Sequence, residues 1–167
     1  MYTRGIVRRP GRNFAGGITT AKLGKPDFGK ALEQHAAYCE ALIKCGVKLT
    51  VLEADDRYPD GCFVEDTAVV NNRVKVVSRP GAPTRLGEEE AIIQVLAGYG
   101  PTEAIIAPGT MEGGDILRAE NHYFIGISER TNTWGANQLS AILAKHGFTT
   151  SVIRVEAGLH LKSDIAY

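Results

Sequence analysis

No stretch of this chain approaches the 18 consecutive apolar residues of a membrane helix. Its opening residues lead into no apolar h-region of a secretion signal. Charge of one sign is missing too: 19 lysines and arginines meet 19 aspartates and glutamates, for a net charge of zero. A generic binder of phosphate backbones carries a basic surplus, so neither nucleic acid nor a membrane is the expected partner. Cysteine is scarce. Cys39, Cys45 and Cys62 fall in no metal-ligand spacing, and any disulfide scheme leaves one over, so a reduced, cytoplasmic setting is expected. There is no Gly-x-Gly-x-x-Gly, no Walker loop and no histidine–carboxylate spacing for a metal. What remains is an ordinary globular composition: 167 residues, 44% hydrophobic and 23% charged, enough for one domain with its own core.

Periodicity orders the elements. Phe28 to Cys45 predicts a helix, capped by Asp27 behind Pro26, with an apolar stripe of Leu32, Ala36, Cys39, Leu42 and Ile43 and a stop at Gly46. Val47 to Glu53 reads as a strand. Phe63 to Val70 and Val74 to Ser78 read as a hairpin across Asn71-Asn72. Gly87 to Gly100 predicts a second helix with Glu88, Glu89 and Glu90 at its positive end. Ala104 to Ala107 is a short strand, and Asp115 to Ile127 a hairpin turning at Glu120-Asn121. Trp134 to His146 is a third helix, and Ser151 to Val155 the strand after it. The order strand, strand, helix, strand thus occurs twice. Asp66 and Asp115, which open the two units, stand 49 residues apart; the same step reaches Asp164 forward and Gly17 backward. A repeat of this size belongs to propellers and stacked modules. The expectation is one incomplete α/β propeller domain over 1–167, with module boundaries near 14–61, 62–110 and 111–158 and a broken module from 159.

Four segments hold more polar groups than a solvated loop needs. In Pro59-Asp60-Gly61-Cys62-Phe63-Val64-Glu65-Asp66, the neighbours Glu65 and Asp66 point to opposite faces of a strand. An inward carboxylate needs a cation or strong donors, and a guanidinium fits it bidentately; turn chemistry is the plainer alternative. Arg85, in Arg79-Pro80-Gly81-Ala82-Pro83-Thr84-Arg85, is either a carboxylate clamp or a solvated arginine ahead of a helix, and Arg130 invites the same two readings. In Met111-Glu112-Gly113-Gly114-Asp115, two glycines let the backbone approach something closely, or merely bend it. His160, between Leu159 and Leu161, is either an acid/base group with a tuned pKa or a histidine satisfied by backbone. Cys62 reads as a buried thiol rather than a nucleophile.

As an ordered set, Asp60-x-x-Phe63-Val64-Glu65-Asp66, Arg85, Glu112-Gly113-Gly114-Asp115, Ser128-Glu129-Arg130-Thr131-Asn132 and Leu159-His160-Leu161-Lys162-Ser163 resemble the dimethylarginine dimethylaminohydrolases. These belong to the guanidine-modifying (amidinotransferase, or pentein) superfamily. The opening from Ile18-Thr19 to Leu23-Gly24-Lys25-Pro26-Asp27 resembles them too. The resemblance implies a propeller of five strand-strand-helix-strand modules, of which this chain holds about three. It also implies hydrolysis of Nω-methylated arginine to citrulline and a methylamine, without metal or organic cofactor. Carried over, Glu65 and Asp66 hold the substrate guanidinium, and Asp60 with the backbone of Ile18 takes the α-amino group. Arg85 and Arg130 clamp the α-carboxylate, and His160 is general acid and then base, oriented by Glu112. The family nucleophile, a cysteine thiolate that forms a covalent thiouronium, lies beyond the position where this chain stops, and none of the three cysteines takes its place. The chain alone is therefore expected to be inactive, and its open module edges to drive a homodimer or larger species. An arginine deiminase or amidinotransferase shares the scaffold; Lys162, where sister deiminases carry an aspartate, favours the methylarginine branch. A non-catalytic arginine-binding or self-associating remnant is the alternative of another class.

Overall fold

The computed structural model describes residues 2–167. By contacts the chain divides after Val64 into two compact units. In the first, β1 (Arg4–Arg8) and β2 (Lys48–Leu52) pair in parallel, Arg4 opposite Lys48 and Arg8 opposite Leu52. They are joined through α1 (Phe28–Lys44). Asp27 caps α1 by accepting the Lys30 N–H at 2.7 Å, and Gly46 leaves the helix at φ +83°, a left-handed conformation natural to glycine. The inward face is Ala31, His35, Cys39 and Leu42, all half-buried, whereas Leu32, Ala36 and Ile43 are exposed. The expected stripe is thus rotated, because His35 and not an apolar residue fills one inward position. β1 answers to no pattern in the sequence. No strand follows Gly17, where the 49-residue step lands backward; that segment is irregular.

The second unit contains the repeat. β3 (Ala68–Val70) and β4 (Lys75–Val77) are antiparallel, α2 (Glu90–Leu96) follows, and β5 (Thr102–Ala104) lies parallel to β4. β6 (Ile116–Ala119), β7 (His122–Ile127), α3 (Thr133–Lys145) and β8 (Thr149–Arg154) repeat the same course. Both sheets run in chain order, β3-β4-β5 and β6-β7-β8. The 49-residue spacing therefore marks two units of one topology. The first expected strand is shorter than its sequence suggests, since Val64–Thr67 coils into a 3-10 turn that buries Asp66 and Thr67. The second helix is shorter too: Gly87 sits at φ +99°, and a 3-10 turn over Ala97–Tyr99 replaces its end. No strand forms after Asp164; the 3-10 turn Leu161–Ser163 precedes it.

One core serves both modules of this unit. Val69, Val74 and Val76 pack with Met111, Ile116, Tyr123 and Ile125, closed over by Ala136, Leu139, Ile142 and Leu143 of α3. Alternation along β7 sends Tyr123 and Ile125 inward. The repeat aspartates couple successive turns. Asp66 Oδ1 accepts the Gly114 N–H at 2.8 Å, and Asp115 Oδ1 accepts the Leu161 N–H at 3.1 Å. Each aspartate is thereby fastened to the 3-10 turn about one repeat downstream.

Candidate active site

The turn Pro83–Arg85 starts on proline, whose fixed φ suits a first helical position, and it aims Arg85 inward. There Nε and Nη2 donate to Glu88 at 3.1 and 2.8 Å, and Nη1 donates to Asp66 Oδ2 at 2.8 Å. Nη1 also lies 3.6 Å from Glu112 Oε2. Burial opposes the charge on Arg85, but the bonds it donates to Glu88 and Asp66, with the charges of both carboxylates, outweigh it and hold the guanidinium protonated.

Glu112, only 1% exposed, spends Oε1 on the backbone N–H groups of Gly81 and Ala82 at 3.2 and 3.4 Å. Its Oε2 lies 3.0 Å from His160 Nε2. Burial pushes the Glu112 carboxyl up, yet the His160 bond, the Arg85 charge and the Ala82 N–H together hold it below the carboxylate norm. For His160, desolvation favours the neutral ring. The Glu112 bond, with the charges of Asp66, Asp115 and Glu112, overrides it and raises the imidazole pKa. The two glycines earn their positions by close approach. A Cβ on Gly113 would meet the Glu65 carbonyl oxygen at 2.0 Å, and one on Gly114 would meet the His160 ring at 2.6 Å.

The structure thus joins buried Asp66, Arg85 and Glu112 with half-buried His160 in one cluster. Glu65 stands at its margin, exposed and paired with Lys162. Arg130 is half-buried, and its backbone packs on Gly81, where a Cβ would lie 2.3 Å from the Arg130 carbonyl oxygen. In the other unit, both oxygens of buried Asp60 accept the Ile18 N–H at 3.1 Å. Sequence reasoning misses Glu88, which looks like one of three helix-start acids, although its i,i+3 spacing from Arg85 was a usable signal. It also misses Asp115, Ser128 and Thr131 as a bonded group. Asp66, Glu112 and His160 each offer a ligand atom within 4.8 Å of the others. The Arg85 guanidinium stands against two of them, where a cation would sit.

Repeated strand-strand-helix-strand modules carrying a carboxylate–guanidinium–histidine cluster define the class as a pentein-type α/β propeller. A family profile described as arginine deiminase matches residues 94–162. The N(G),N(G)-dimethylarginine dimethylaminohydrolase of Pseudomonas aeruginosa is 48% identical over all of this chain. That of Streptomyces coelicolor is 37% identical over 97% of it. A solved structure of the Pseudomonas enzyme, a cysteine-to-serine mutant complexed with citrulline, superposes with a TM-score of 0.98, covering all of this chain and 66% of that one. The N-terminal domain of the arginine dihydrolase ArgZ shares the fold at 16% identity and a TM-score of 0.79. The chain belongs to the dimethylarginine dimethylaminohydrolase family. It spans 66% and 64% of the length of the two bacterial relatives.

Proposed function

We propose that this chain forms part of a hydrolase that converts Nω-methylated arginine to citrulline and a methylamine. The observation that carries the reading is the His160–Glu112 pair: an imidazole biased toward its protonated form, beside carboxylates suited to a guanidinium. Asp66 and Glu65 bind the substrate guanidinium, and Lys162 leaves Glu65 when substrate arrives. Asp60 and the Ile18 backbone take the α-amino group. Arg130, which joins no ion pair among the described residues, clamps the α-carboxylate. Arg85 shares that work only where Glu88 or Asp66 releases it. A cysteine thiolate attacks the guanidinium carbon, and the amine departs with the proton of His160. Water then gives a proton back to His160 and displaces the sulfur, leaving citrulline. Residues 65–167 contain no cysteine, so that unit does not furnish the thiolate, and the 167-residue chain alone is expected to release no citrulline.

The reading takes 62–110 and 111–158 as successive modules of one propeller domain and places the protein in the cytoplasm. No described helix is long and apolar enough to cross a membrane. It also includes self-association, since Ile106, Trp134 and Val152 are exposed at 67%, 63% and 54%; a monomer across a light-scattering dilution series would remove that part.

The arginine deiminase profile favours one second reading, hydrolysis of arginine itself. Protein expressed from the complete open reading frame separates the two. Incubated with Nω,Nω-dimethylarginine, it should release citrulline and dimethylamine in equal amounts, and His160→Asn should cut the rate by about 10²-fold or more. Consumption of arginine with dimethylarginine untouched would overturn the proposal.

A further inference from the structure

Asp115 is completely buried, yet no role in binding or proton transfer falls to it. Its Oδ2 accepts from Ser128 Oγ at 2.7 Å and Thr131 Oγ1 at 2.6 Å, and its Oδ1 accepts from Leu161 N at 3.1 Å. The two hydroxyls carry the connection onward. Thr131 Oγ1 accepts the Glu112 N–H at 3.2 Å; Ser128 Oγ accepts the N–H groups of Arg130 and Thr131 at 3.0 and 3.2 Å. Gly126 keeps the space clear, since a Cβ there would lie 3.1 Å from Asp115 Oδ1.

We propose that Asp115 is a positioning residue, whose carboxylate locks the Glu112 backbone, the 128–131 turn and the His160–Leu161 turn into one frame and so fixes the imidazole on Glu112. Three donors aimed at one buried carboxylate leave neither of its oxygens unpaired. They arrive from two separate stretches of chain, the 128–131 turn that carries Arg130 and the turn that carries His160, and Thr131 Oγ1 ties the Glu112 N–H to the same carboxylate. A neutral acceptor would suffice to brace a loop. The charge adds a second effect, because Asp115 joins Glu112 and Asp66 in favouring the protonated ring, with Arg85 as the opposing charge in the cluster and Lys162 turned to Glu65.

The kinetic part of this inference rests on the function proposed above; the spectroscopic part does not. The titration of His160 is followed by NMR in the 167-residue protein, assigned by its loss in a His160 variant. In Asp115→Asn the protonation constant of His160 should fall by about threefold or more. Where Asp115→Asn does not fold, a second pair reads the same frame at constant charge. Thr131→Val deletes the shared hydroxyl and should shift the His160 titration, and Thr131→Ser, which restores it, should return it to the wild-type midpoint. With protein from the complete reading frame, kcat should fall about tenfold or more in Thr131→Val and recover in Thr131→Ser, with KM little changed. An unmoved His160 midpoint in folded Asp115→Asn would overturn the inference, as would Thr131→Ser behaving like Thr131→Val. Absence of any turnover would strike the proposed function and leave the NMR result to decide this one.

Discussion

Arg85 meets three buried carboxylates, those of Asp66, Glu88 and Glu112, and one guanidinium does not neutralise three acids. Desolvation lowers the His160 pKa, but the Glu112 hydrogen bond and the charges of Asp66, Asp115 and Glu112 override it and raise the value. This sets a pH dependence with a definite sign. A raised histidine pKa contributes stability that is complete below the unfolded value of 6.5 and is lost as pH climbs through the raised value. The depressed Glu112 contributes above its unfolded value of 4.5, and that share is lost as pH falls through the lowered one. The stability gap between wild type and His160→Gln should therefore be widest between pH 4.5 and 6.5 and narrow above it. Urea melts across pH check this; a gap that widens above neutrality would show that the histidine is held neutral. The ordered motifs name Asp66, Glu112 and His160, and their side chains adjoin. Asp115 stays hidden because its partners Ser128, Thr131 and Leu161 lie in segments whose approach only the fold creates; Glu88, only three residues from Arg85, is masked because it reads as one of three helix-start acids.

At the scale of elements, the ends of α1 and α3 are the most legible part. Asp27 and Asn132 accept from Lys30 N and Gly135 N, as N-caps do. The interiors are less so. Val64-Glu65-Asp66-Thr67 alternates like a strand, yet it turns, since the turn brings Asp66 to Arg85 and Gly114. β1 is invisible in Arg4-Gly5-Ile6-Val7-Arg8 because its parallel partner is 44 residues away and charges flank its apolar pair. The core element with the clearest energetic role is α3, whose Leu139 and Leu143 are fully buried against both modules of the second unit. Leu139→Ala should cost about 2–5 kcal/mol of unfolding free energy. Chemical denaturation measures it, and a loss under 1 kcal/mol (a loose-packing magnitude of roughly that size) would mean that the two modules do not share one tight core.

For the whole molecule, the repeat was readable from a single residue type. Aspartate recurs at 66, 115 and 164, and in the first two cases its carboxylate fastens one 3-10 turn to the next. A sequence period survives where each copy performs the same backbone service, and it fails at Gly17, which lacks a carboxylate and begins no strand. The period reveals the scaffold; the chemistry depends on how charges gather on it. That gathering favours a cationic, planar substrate group and a leaving amine that needs a proton. The most direct measurement is the ratio of kcat/KM for Nω,Nω-dimethylarginine to that for arginine, taken on protein from the complete reading frame with citrulline as the common product. The account predicts a ratio well above one, abolished together with all citrulline release by His160→Asn. A ratio well below one, or citrulline release that survives loss of His160, would contradict it.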